Sequence, residues 1–232
     1  MSRNKRIILV VLFVMLDVFL LIGYLVIQDA TMLNNLKKET NILSKLSVTT
    51  DRYNRKLKTR GNYAIVEESI KDYLDDYAVL LQDAMAIISD DRLTTILSYN
   101  NYLEDGPEFK KSFTYLEQTK QDFNKKIDSL IKRSEEDTIK DYINDKTQEV
   151  YYRDLYNKLM LDSDRKDEFF ETKDLLIKTK TKVNNVLDVS YEVLNFLVVN
   201  KDSWKVEDGE IKFLTQDLYN QYMAYISKLT TK

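Results

Sequence analysis

The sequence predicts a mainly α fold: one transmembrane helix, then an extracytoplasmic antiparallel helical bundle with a small C-terminal β-hairpin. Three observations predict it. The run from Ile7 to Ile27 is apolar except for Asp17, Gly23 and Tyr24. Apolar residues recur every three to four positions through most of the remainder, and that period switches to two only around Asp208-Gly209.

A bilayer core needs roughly 20 apolar residues as helix, and Ile7–Ile27 supplies them. A central Asp costs about 2.5 to 3.5 kcal/mol on the insertion scale, which the surrounding Leu, Ile, Val and Phe residues offset. A cleaved export signal would have a core of about 7 to 15 residues and a small-x-small site; Gln28, two positions before Ala30, does not fit one. An uncleaved anchor is therefore expected. Arg3, Lys5 and Arg6 precede the span and Asp29 is the first charge after it, so residues 1–6 are expected in the cytoplasm and the C-terminal domain outside the cell.

Residues 28–60 contain no helix breaker, and Leu33, Leu36, Leu43 and Leu46 form a narrow stripe, as in a coiled-coil-like stalk helix. Its second half has too few apolar positions to be stable alone. Gly61, Gly106-Pro107 and Gly209 punctuate the remainder of the chain, and residues 61–232 are expected to form the helical domain.

Within it, Val66, Ile70, Tyr73, Tyr77, Leu80, Ala84 and Ile87 mark a core-facing helix, widened by Leu74, Leu81 and Ile88. A short helix around Leu93, Ile96 and Leu97 follows the Asp90-Asp91 cap, and a loop is expected from Asn100 to Pro107. Pro107 suits a first helical turn, after which Phe109, Phe113, Leu116, Phe123, Ile127 and Leu130 run to about residue 133, interrupted only at Lys120. Ser134 with Asp137 has capping-box spacing and opens a helix through Ile139, Tyr142 and Ile143. Another runs through Val150, Tyr151, Leu155 and Leu159.

The segment from Ser163 to about Val199 is the longest, with Leu176, Val183, Leu187, Leu194 and Leu197 on one face. Trp204, Val206, Ile211 and Phe213 then alternate with charged residues about Asp208-Gly209, the pattern of a hairpin near 204–213 with a type I′ turn. A last helix through Leu218, Tyr222, Tyr225, Ile226 and Leu229 closes the chain.

Composition removes whole classes of chemistry. The chain has neither His nor Cys, which excludes Ser-His-Asp and Cys-His catalysis, the usual zinc sites, His-ligated haem and disulfide frameworks. Its four glycines lie far apart, so there is no dinucleotide or phosphate loop, and no cofactor is expected. Setting aside Arg3, Lys5, Arg6 and Asp17 leaves 32 basic and 37 acidic residues, a net charge of −5 for residues 28–232. That balance, with no basic block, argues against nucleic acid. The acidic pairs Asp75-Asp76, Asp90-Asp91 and Glu135-Glu136 read as solvated helix faces or caps. Asp162 to Asp167 fails as a calcium loop because Lys166 and Asp167 stand at its fifth and sixth positions. The absence of cysteines and glycosylation sequons fits a bacterial surface, and so a bacterial cell envelope, better than a eukaryotic lumen, and the richness in Lys, Asn, Ile and Tyr fits AT-rich coding DNA.

The residues left over point to contact with other proteins. Asp17 near the bilayer centre, with Tyr24 seven residues on, is a candidate for a membrane partner, because an ionisable group at that depth needs one. Tyr151, Tyr152, Tyr156 and Trp204 are the candidate contacts in the outer domain, Trp204 also fitting as a plug beneath the hairpin. The expected role is non-catalytic: a membrane-anchored envelope protein engaging another membrane or envelope protein, or itself. A ligand-binding accessory subunit signalling sideways through its span and an acid–base enzyme using carboxylates are the alternatives.

Overall fold

The computed structural model describes residues 57, 59, 62–161 and 163–229. The expected cytoplasmic end, the expected span with Asp17 and Tyr24, and all of the expected stalk except Leu57 and Thr59 lie outside them. Among the described residues the chain is mainly helical with one two-stranded antiparallel sheet, and no helix is long and apolar enough to cross a membrane. The elements are α1 (Asn62–Ile88), α2 (Asp91–Thr95), α3 (Tyr99–Glu104), α4 (Lys110–Arg133), α5 (Glu136–Asn144), α6 (Val150–Met160), α7 (Ser163–Val199), a 3-10 turn (Lys201–Ser203), β1 (Trp204–Glu207), β2 (Glu210–Phe213) and α8 (Gln216–Lys228). They fall into two compact units, and α1, α4 and α7 each contribute to both.

One unit holds residues 62–84 and 125–178 of the described chain. Here α1 and α4 are antiparallel, as Asp83 pairs with Lys126 and, further back along α1, Asp76 pairs with Arg133. The predicted stripe of α1 is buried at Val66, Ile70, Tyr73, Tyr77 and Ala84, with Leu81 buried in place of Leu80, which is only partly covered. A helix of 3.6 residues per turn drifts off a strict three-four ladder, so the buried position falls one residue later there. Ile127, Leu130, Ile139, Ile143, Tyr156, Met160 and Leu176 belong to this core.

The same unit buries an ion pair. Glu67 and Lys71, one turn apart on α1, have side chains only 2% and 4% exposed and bond to each other. The second oxygen of Glu67 accepts from both the backbone N–H and the hydroxyl of Thr59, at 2.8 and 2.6 Å. The carboxylate thus ties the chain entering α1 to the helix itself.

The other unit holds residues 85–124 and 179–229 of the described chain. Lys120 pairs with Asp188, Asn184 donates to Asn124, and Phe113 packs on Tyr191 at 4.6 Å, so α4 and α7 are antiparallel. Lys120, which breaks the apolar stripe of α4, points to that partner while Thr119 takes the core position. The second half of α7 is buried through Val183, Leu187, Val189, Val193, Leu194 and Leu197.

The hairpin forms where period two predicts it, in the register Trp204↔Phe213 and Val206↔Ile211. Asp208 and Gly209 have φ of 54° and 73°, the left-handed pair that a type I′ turn requires. A side chain at Gly209 would meet nothing within 4 Å, so any penalty there is conformational. Gly209→Val is expected to lower stability by about 1 kcal/mol or more, read from the melting temperature. An unchanged value would mean that the hairpin does not stay docked.

Three local expectations are corrected. Asn100 to Pro107 is not a continuous loop, because α3 occupies Tyr99–Glu104, capped by Ser98, whose hydroxyl accepts from the Asn101 N–H. Pro107 does not open a helix: it follows a cis peptide, and α4 begins at Lys110. Ser134 does not cap α5 either; it is buried and donates back to the Leu130 carbonyl, leaving Glu135 at the cap position. In each case a local signal yields to burial of neighbouring apolar residues, Tyr102, Phe109 and Ile139.

Candidate functional site

The four aromatic candidates, Tyr151, Tyr152, Tyr156 and Trp204, do not share one fate. Tyr151 is 60% exposed and Tyr152 partly so, both on the first turn of α6. In the same unit Tyr63, on the first turn of α1, completes a cluster: its ring meets Tyr152 edge to face at 5.3 Å, and Tyr152 meets Tyr151 likewise at 5.0 Å. The hydroxyls of Tyr63 and Tyr151 lie 3.4 Å apart, and the Asn62 amide donates to Glu149 at 2.7 Å beside them. Each perpendicular ring pair contributes about 0.5–1.5 kcal/mol beyond its buried area, so the cluster is held in shape before anything binds. Val150, 61% exposed, extends it.

Tyr156 is corrected: it is no surface contact. One turn further along α6 it is fully buried, and its hydroxyl donates to the Ile139 carbonyl at 2.9 Å. Burial pushes its phenol up, well beyond the usual tyrosine range. Tyr151, Tyr152 and Tyr156 are one cluster in sequence, but a helix sends positions five apart to different faces.

Trp204 belongs to the other unit and serves as the plug beneath the hairpin. Its ring stacks on Phe109 at 6.0 Å, meets Tyr102 edge-on at 6.1 Å, and its indole N–H donates to the Leu197 carbonyl at 2.7 Å. Beneath it, Tyr102 and Tyr222 share a buried hydroxyl–hydroxyl bond of 3.0 Å, and burial holds Tyr222 neutral up to about 12.

The first unit also holds a concavity that the apolar pattern does not signal. A cleft of about 510 Å³ runs between α1, the end of α4 and α5, lined by Asp76, Leu80, Ser129, Lys132, Arg133, Thr138, Asp141, Tyr142 and Asp145. Asp76 accepts from Arg133 at 2.6 Å and from the Tyr142 hydroxyl at 2.7 Å, and the guanidinium lies 5.3 Å from the Tyr142 ring centre. The sequence signal for it is the spacing of Ser129, Lys132 and Arg133, and of Thr138, Asp141, Tyr142 and Asp145, at three and four residues. Each set makes a polar stripe on a helix whose apolar stripe is the stronger pattern.

The other acidic pairs have structural partners. Asp90 caps α2 and grips Arg92, which holds its carboxyl below the usual range; Glu135 pairs with Lys173 and Glu136 with Lys140. Among the described residues, no three carboxylates gather in a way that would hold a metal ion. Set against protein-family models, curated proteins and solved structures, the chain matches none of them.

Proposed function

We propose that this chain is a non-catalytic, membrane-anchored protein of the cell envelope, held by one N-terminal span. Its extracytoplasmic helical bundle engages another membrane or envelope protein through the face formed by Tyr63, Val150, Tyr151 and Tyr152. The observation that carries this reading is the exposed tyrosine cluster. Tyrosines supply large contact area at low conformational-entropy cost, and they are enriched where proteins meet. Mutually packed rings lose little further freedom when a partner docks. The lack of His and Cys, which narrows the chemistry open to the chain, weighs in the same direction.

The test places a photoactivatable phenylalanine analogue at position 151 of the full chain in intact cells, with position 79 as an exposed control on α1. A discrete cross-linked species is expected from 151 and not from 79, and Tyr63→Ser with Tyr152→Ser should abolish it without lowering the melting temperature by more than a few degrees. In the same cells, external protease should remove a C-terminal tag. A tag that survives until lysis overturns the topology. Equal cross-linking from both positions overturns the contact face. Asp17→Leu then separates the two candidate interfaces: loss of the product in that variant alone assigns the association to the span.

A further inference from the structure

We propose that the cleft between α1, the end of α4 and α5 binds a small zwitterion, an amino acid or dipeptide with small apolar side chains. The site is distinct from the tyrosine face. Three helices line it: α4 and α5 each turn a polar stripe into it, Ser129, Lys132 and Arg133 from α4 and Thr138, Asp141 and Tyr142 from α5, followed by Asp145, while α1 contributes Asp76 and Leu80. At about 510 Å³ the space is of the size that small-molecule sites occupy.

Its charges set the ligand class. Asp76 is spoken for, accepting from Arg133 and Tyr142. Arg133 gives that bond through Nη1 and lies against the Tyr142 ring, so the guanidinium is held in one orientation with the rest of its donor fork directed elsewhere. Among the described residues, the side chains of Lys132, Asp141 and Asp145 make no hydrogen bond or ion pair. The cleft therefore offers a cationic side, Lys132 with Arg133, and an anionic side, Asp141 with Asp145. A carboxylate ligand alone would face the two aspartates unpaired, and a simple amine would face Lys132 and Arg133. Like-charge juxtaposition disfavours each. A molecule carrying both charges satisfies both sides, with charge-assisted bonds to the guanidinium fork. Ser129 and Thr138 add hydroxyls, while Leu80 and the Tyr142 ring provide a small apolar floor.

The experiment is calorimetric titration of the full chain in a non-denaturing detergent with L-alanyl-L-alanine. N-acetyl-L-alanine, which keeps only the carboxylate, and L-alanine methylamide, which keeps only the ammonium, serve at the same millimolar concentrations. Saturable binding of the dipeptide is expected, with each single-charge analogue at least about tenfold weaker. Lys132→Gln and Asp145→Asn, both at exposed positions, are each expected to weaken the dipeptide about tenfold at an unchanged melting temperature. Arg133→Lys keeps the charge but loses the fork and should weaken it too. The proposal is overturned if the dipeptide gives no saturable heat, if either analogue binds as well as the dipeptide, or if Lys132→Gln and Asp145→Asn both bind like the parent. Because Tyr63, Tyr151 and Tyr152 are untouched, failure here leaves the cross-linking result at position 151 standing, and the reverse holds as well.

Discussion

Lys71→Met is expected to destabilise the chain by about 3–5 kcal/mol, the cost of breaking a buried ion pair by removing one of its partners. Lys71 and Glu67 are almost wholly removed from water, and the Glu67 carboxylate also holds Thr59 by two bonds. In the single variant the Glu67 carboxylate keeps its desolvation cost and loses the Lys71 bond, so stability falls. The companion variant Glu67→Gln with Lys71→Met should recover most of the loss, because one amide oxygen can still accept both Thr59 donors while no charge is buried. Guanidinium unfolding of the full chain in mild detergent, followed by circular dichroism, reads both. If Lys71→Met lies within about 0.5 kcal/mol of the parent, the pair is in contact with water and the tie to Thr59 carries little.

Trp204→Ala is expected to cost about 3 kcal/mol, the lower end for a large aromatic because the indole is only partly covered. Three contacts disappear together: the stack on Phe109, the edge contact with Tyr102 and the bond to the Leu197 carbonyl. The packing there is close enough that a Cβ at Gly106 would collide with the Tyr102 carbonyl oxygen and approach Trp204 to 3.2 Å, so little can shift to fill the space. A two-stranded hairpin is marginal in water, so the amides of β1 and β2 should lose hydrogen-exchange protection before the helices do. Trp204→Phe keeps a ring but loses the indole bond, and an intermediate effect is expected. Since Trp204 is the only tryptophan in the chain, its fluorescence in the parent reports the same undocking. Hairpin amides that remain protected in Trp204→Ala would show that Phe213, through Phe196 and Tyr222, suffices to hold the sheet.

How far the fold is legible in the sequence depends on how local each signal is. The hairpin is legible because its turn demands two left-handed residues in a row, and Asp208-Gly209 is a pair that accepts them. The long helices are legible because each carries its apolar period over many turns, and because Lys120, the one break in α4, is followed by a return to phase at Phe123. α3 is not legible. Tyr99 to Glu104 has little periodicity of its own, and it is helical where Ser98 caps it and Tyr102 can bury against Phe109.

The tyrosine cluster divides along the same line. Residue type and the run Tyr151-Tyr152 are local facts, and they point to α6. Which tyrosine faces water depends on what packs behind the helix, and that is Ile139 for Tyr156 and Tyr63 for Tyr152. The sequence by itself determined the helical class, most element boundaries, the turn chemistry and the loss of His- and Cys-based reactions, since all of these follow from short-range sterics and residue type. Only the tertiary structure decided that Glu67 and Lys71 are buried, that Asp76 is committed to Arg133, and that the polar stripes of α4 and α5 meet α1 at one cleft. Those are meetings of residues far apart in the chain, and the free energy that selects them is burial shared between helices, which a single helix's sequence does not contain.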